Sequence, residues 1–173
     1  MLSQPKDDKN NFKNKLDKVS AQMYGSSNMD YGNFSMNCIK GDFENVWPLY
    51  TAALTTPAFN AKEFDRIKQD AITNIRANES NPDAAIDKMA MQTAFTGKNY
   101  AKDPAGSVET VTALTATATK AYWQSIFTKS RLVIVIVADL ERKIIEEKVK
   151  ELLAKVPAGT PFKSTKSSYT PTA

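Results

Sequence analysis

The 173 residues include no histidine and one cysteine, and these scarcities exclude a good deal of chemistry. Catalytic zinc is held by histidine together with aspartate or glutamate, with one position left open for water. Without imidazole such a site would rest on carboxylates alone, so this chain by itself is not a working zinc peptidase. Serine and cysteine nucleophiles need a base that is nearly always histidine. A lysine can replace it, but the serines and lysines here sit in turns and tails, not in a recognisable S-x-x-K setting. No G-x-G-x-x-G or phosphate loop occurs, and Asp-x-Asp spacing followed by glycine, the mark of a calcium loop, is missing. The lone Cys38 rules out an internal disulfide or a cysteine metal cluster. It lies in an alternating apolar stretch and reads as a small buried hydrophobe.

Long apolar runs are also lacking. No segment approaches the 18 apolar residues of a membrane span, and Met1-Leu-Ser-Gln-Pro-Lys6 has no apolar core for a signal peptide. Basic residues do not cluster. The net charge is +4, and Lys6, Lys9, Lys13, Lys15 and Lys18 interleave with Asp7, Asp8 and Asp17. That is a solvated surface. A nucleic-acid binder would gather lysine and arginine on one face beside stacking aromatics, so no nucleic-acid partner is expected.

What remains is an ordinary globular composition, 42% hydrophobic and 24% charged. A chain of this size buries roughly 70% of its unfolded surface, enough for one proper core. Phe12, Leu16 and Val19 share a helical face over residues 11–19. Residues 21–24 and 31–40 read as a hairpin, with Phe34, Met36 and Cys38 alternating against polar neighbours. Phe43, Val46, Trp47, Tyr50 and Leu54 mark a helix with Asp42 at its cap, Pro48 predicting a kink or a later start, and an end before Pro57. Asn60-Ala-Lys-Glu63 opens the next helix, with Phe64, Ile67, Ala71 and Ile75 as its stripe.

Asn81-Pro82 opens another helix, carrying Ile86, Met89, Ala90 and Phe95. A loop over 97–106 and a helix around 115–128 follow. Leu132-Val-Ile-Val-Ile-Val137 is a continuous apolar run, β-branched from Val133 on, the pattern of a strand buried on both faces. A helix over 140–155 directs Ile144, Ile145, Val149, Leu152 and Val156 inward. The class is α+β, with helices on one face of an antiparallel-rich sheet. Residues 1–156 form a single domain, and 157–173 have the composition of a linker or C-terminal tail. About three strands are a thin platform for so many amphipathic helices. Strands from sequence before Met1, or from a partner chain, are therefore expected to complete the sheet.

An ordered series of segments resembles the insulinase/pitrilysin family of zinc metallopeptidases, which includes the mitochondrial processing peptidases. It begins with Phe43-Glu-Asn-Val-Trp-Pro-Leu-Tyr50, Leu54-Thr-Thr-Pro-Ala-Phe59 and Glu63-Phe-Asp-Arg-Ile-Lys68. It continues through Asn81-Pro-Asp83, Asp103-Pro-Ala-Gly-Ser-Val-Glu109, Leu114-Thr115 and Arg131–Val137, and reaches Leu152–Gly159. The resemblance implies one half-domain of that fold, without its first strands. In the family's active half an H-x-x-E-H helix holds the metal and activates water. Its place here would fall immediately before Met1, since Met1-Leu-Ser-Gln4 resembles the stretch after the second histidine. The third ligand, a glutamate, corresponds to Asn74, whose neutral amide lacks the carboxylate's charge.

The resemblance therefore implies a non-catalytic half, with no cofactor of its own and zinc only in a catalytic partner half, tethered or separate. The two halves would close over an extended peptide. The family's active members add substrate as a strand to an edge that corresponds here to Ala21, Gln22, Met23, Tyr24, Gly25, Ser26 and Ser27. A bacterial periplasmic or cell-envelope location is a family-level expectation. Two alternatives stand beside this reading. One is a fragment of an active zinc endopeptidase cut just after its H-x-x-E-H helix, which Asn74 disfavours. The other is an unrelated binding module driven by the positive charge, which would bind with a steep negative salt dependence.

Overall fold

The computed structural model describes residues 9–161 and 163. Met1–Gln4, the Lys6/Asp7/Asp8 surface and residues 164–173 of the expected tail lie outside the described residues. The chain divides into two compact units between Lys120 and Ala121.

In the first unit, α1 (Lys9–Asp17) buries Phe12 and Leu16 one turn apart. Ser20 adopts a left-handed φ of 49° to end it. The Ala21 N–H then reaches back to the Leu16 carbonyl at 3.0 Å, and the Ser20 N–H to the Asp17 carbonyl at 3.2 Å. This is the Schellman arrangement, and its usual hydrophobic contact is supplied by Leu16 and Ala21 in one buried cluster. The turn feeds the chain directly into β1 (Gln22–Ser27), which pairs antiparallel with β2 (Gly32–Asn37). The hairpin was legible, although β1 runs three residues further than expected, to Ser27.

α2 (Phe43–Thr55) buries Phe43, Val46, Trp47, Thr51, Ala53 and Leu54. Val46 and Ala53 join Phe12, Leu16 and Ala21 in the core cluster, with Met23, Phe34, Met36 and Cys38 packed on it. Pro48 does not delay the start: α2 begins at Phe43 and encloses the proline, while Asp42 makes no side-chain cap bond. α3 (Ala61–Glu79) does begin on its expected cap, Asn60 Oδ1 accepting from the Glu63 N–H at 3.2 Å. Its fully buried residues are Ile72 and Ile75, which pack with Val111 of the short helix α5 (Val108–Thr112). Phe64, Ile67 and Ala71 of the expected stripe are only half-buried.

α4 (Pro82–Ala94) is capped by Asn81 as expected, but none of its residues is buried. The apolar residues it carries are exposed, Ile86 at 65% and Met89 at 68%. Gly106 (φ 78°) lets the chain approach the capping box of α5 closely, since a Cβ there would sit 2.9 Å from Thr110 Oγ1. α6 spans Ala116–Ile126.

In the second unit, Trp123 and Phe127 stack with centroids 4.7 Å apart. α7 (Arg142–Ala154) buries Leu152, with Val156 just beyond its end; Ile144 is exposed rather than inward. The Lys129 and Ser130 N–H groups donate to the carbonyls of Pro157 and Ala158, at 2.8 and 3.1 Å. Ser130 Oγ donates to the Thr160 carbonyl at 2.7 Å.

The run Leu132–Val137 corrects its reading as a strand buried on both faces. It makes no ladder among the described residues, and Val133, Val135 and Val137 are 86%, 80% and 96% exposed. A strand's second face is buried only when something packs on it, and no partner strand is present among the described residues.

Candidate peptide-pairing edge and the Asn74 position

The turn of the hairpin determines which backbone groups of β1 face outward. The Asn28 N–H donates to the Tyr31 carbonyl at 3.0 Å, so these two residues form a hydrogen-bonded pair closing a Met29-Asp30 turn. The Asn28 side chain supports the turn by accepting from the Asp30 and Tyr31 N–H groups, at 2.9 and 3.0 Å. Hydrogen-bonded and non-hydrogen-bonded pairs alternate along an antiparallel ladder. Given the register, Ser26↔Asn33, Tyr24↔Ser35 and Gln22↔Asn37 exchange bonds inside the hairpin. The N–H and C=O groups of Met23, Gly25 and Ser27 therefore point away from β2, roughly 7 Å apart along the strand. No partner occupies them among the described residues.

The outer side of β2 is different. Tyr50 on α2 donates its hydroxyl to the Phe34 carbonyl at 2.9 Å and stacks its ring on Phe34, centroids 5.2 Å apart and 11° from parallel. Burial pushes the Tyr50 phenol above its ordinary range, which keeps it a donor. α2 thus covers part of one edge and leaves the other open. The hairpin's tip is also held, because Tyr100 donates its hydroxyl to Asp30 Oδ1 at 2.5 Å.

Side chains on β1 alternate, Met23 toward the core cluster and Gln22, Tyr24 and Ser26 on the opposite face. Lys13, Leu16 and Asp17 of α1, with Ala21, Gln22, Met23 and Tyr24, line a groove of about 370 Å³. The α1 side of this groove had no warning beyond Leu16's place on the buried helical face. Tyr50 was read only as a core residue; its hydroxyl bond to the Phe34 carbonyl is invisible to periodicity.

Asn74 sits on α3 with its side chain exposed. Elsewhere on the same helix Arg66 bridges Glu63 at 3.2 Å and Asp70 at 2.7 Å. No group of three or more His, Cys, Asp or Glu that could hold a metal ion occurs among the described residues. Zinc needs anionic or imidazole donors converging on a point. An exposed amide with no such donors grouped around it among the described residues does not fit it. Cys38 is half-buried against the hairpin core, its thiol raised by burial and then by Asp42.

No sequence-family model matches the chain, and no curated protein matches it either. Solved structures do. The chain superposes on the inactive domain of an M16 peptidase from Pseudomonas fluorescens with a TM-score of 0.91 at 19% identity, covering 99% of this chain. The fold is that of an M16 peptidase half-domain. It is the insulinase/pitrilysin-type α+β fold that the ordered segments indicated. A Helicobacter pylori protease matches over 97% of this chain, at a TM-score of 0.77 and 14% identity. The periplasmic protease PqqL from Escherichia coli matches over 88%, at 0.70 and 15%. This chain spans 42%, 41% and 18% of those three structures respectively. No helix among the described residues is long and apolar enough to cross a membrane.

Proposed function

We propose that the chain is a non-catalytic M16 half, which pairs with a catalytic half, tethered or separate, to form a chamber for extended peptides. One observation carries this reading: the fold matches an inactive M16 domain across 99% of the chain, while the sequence holds no histidine; the family resemblance adds Asn74 in place of the third ligand. The chain itself holds no zinc and performs no hydrolysis; both belong to the partner half. Its share of the chamber is the open edge of β1, Ala21–Ser27, where Met23, Gly25 and Ser27 offer backbone donors and acceptors to an added strand. The likeness to a periplasmic protease supports a cell-envelope location.

Metal analysis and peptide cleavage assays on the purified chain test the first part. The expected result is less than stoichiometric zinc and no cleavage of unstructured peptides. One tightly held zinc per chain would end the reading. Gly25→Pro tests the second part. It removes an outward N–H without touching the inner ladder, as proline on an edge strand can. A Cβ at Gly25 meets Phe34 Cδ2 at an ordinary 3.5 Å, so the hairpin should survive. Binding of extended peptides should be lost; binding unchanged by the proline would remove β1 from the chamber.

A further inference from the structure

The groove at the head of β1 is not needed for backbone pairing, and its composition says what it would add. Gln22 and Tyr24 project from one face of the hairpin and Ala21 and Met23 from the other, yet all four line the same groove. A cavity touched from both faces of a strand lies at that strand's outer edge, where Met23 turns its unpaired N–H and C=O outward. The opposite wall is α1. Leu16 and Ala21, 8% and 6% exposed, make an apolar floor, and Lys13 and Asp17 stand at the rim with opposite charges. Opposite charges one helical turn apart leave no net preference for an acid or a base. The floor favours an apolar group. At about 370 Å³ the groove has the space of roughly a dozen waters, enough for a branched aliphatic side chain but small among ligand sites.

We infer that this groove is a side-chain subsite that takes one aliphatic residue, of leucine or methionine size, from an extended peptide paired to β1. The inference rests on the strand-addition reading above and adds the substrate class to it: extended segments with an aliphatic residue at the register set by Met23. Backbone pairing alone is blind to sequence, because every residue except proline offers the same donor and acceptor. The groove would be the element that discriminates.

Seven-residue, end-blocked fluorescent peptides test this on the full chain. They alternate threonine with one varied residue: leucine, glycine or aspartate. Anisotropy titrations should show the leucine peptide binding about tenfold or more tightly than the glycine and aspartate peptides, the scale of discrimination by an apolar pocket. Gln22→Trp places bulk at the groove from an exposed position and so leaves the fold intact. It should erase the leucine preference, bringing the leucine peptide down to the affinity of the glycine peptide on the same variant. Ala21→Val narrows the floor and should act in the same direction. Equal affinity for all three peptides, with Gly25→Pro abolishing every one, would overturn the subsite and leave strand addition standing. Peptides that fail to bind at all would overturn both.

Discussion

The hairpin and the Leu132–Val137 run make an instructive pair. Neither β1 (Gln-Met-Tyr-Gly-Ser-Ser) nor β2 (Gly-Asn-Phe-Ser-Met-Asn) holds a valine, isoleucine or threonine, yet they form the one ladder among the described residues. The run has five β-branched residues in succession and forms none. Strand propensity measures how well a side chain fits a pleated, half-buried surface, not a preference the backbone carries alone. The hairpin has that surface. Asn28 closes its turn, Met23 lies opposite Met36, and α1 and α2 bury its inner face. The run has the right residues and no strand to pair with among the described residues.

If packing against α2 is what makes a ladder from so weak a sequence, removing that packing should have the largest effect. Trp47 is 5% exposed and touches Phe43 and Tyr50, with centroids 5.5 and 5.7 Å away. Trp47→Ala should destabilise the first unit by about 3–5 kcal/mol, read from the urea midpoint at constant slope. Hydrogen-exchange protection of the β1 and β2 amides should fall with it. A loss under about 1 kcal/mol would mean that the hairpin stands by its own turn, against the general weakness of isolated hairpins.

This contrast also explains what could be read from the sequence. Helix existence and starts were legible where a local signal existed: Asn60 and Asn81 both cap as expected, with Oδ1 accepting from first-turn N–H groups. The hairpin was legible from the alternation of Phe34, Met36 and Cys38. Burial was less so. Ile86 and Met89 have the spacing of an inward face but stand in solvent, because periodicity reports which residues share a face and not whether anything covers it. Of the candidate edge, periodicity placed only its first part as strand, and the expectation of an open edge came from the family resemblance alone. The openness follows from which register pairs exchange hydrogen bonds, and that depends on the Asn28–Tyr31 closure.

A smaller effect isolates the covered edge of β2 from the open edge of β1. Tyr50→Phe keeps the ring stacked on Phe34 and removes only the hydroxyl bond to the Phe34 carbonyl. The expected loss is about 1 kcal/mol at neutral pH. The pH dependence has a definite sign. Burial raises the Tyr50 pKa in the folded state above its unfolded value of 10.0. Its contribution is therefore fully present below pH 10 and disappears as pH climbs through the higher folded value. Above pH 10 the parent chain should lose stability that Tyr50→Phe does not lose. Parallel curves for the two proteins would mean that the phenol is not held out of water by the hairpin.

The smallest expected effect lies in the run itself. Val135 is 80% exposed, so its side chain buries little apolar surface in this chain. Val135→Lys should change stability by no more than about 0.5 kcal/mol, as for other exposed positions without a special contact. The same substitution on a strand buried on both faces would place an unpaired ammonium in an apolar layer, at a cost of several kcal/mol. The two situations differ by far more than the error of a denaturation curve. A near-zero result would show that Val135 has nothing packed on it here, whereas a loss beyond about 2 kcal/mol would show that Val135 is covered and that propensity had found its partner after all.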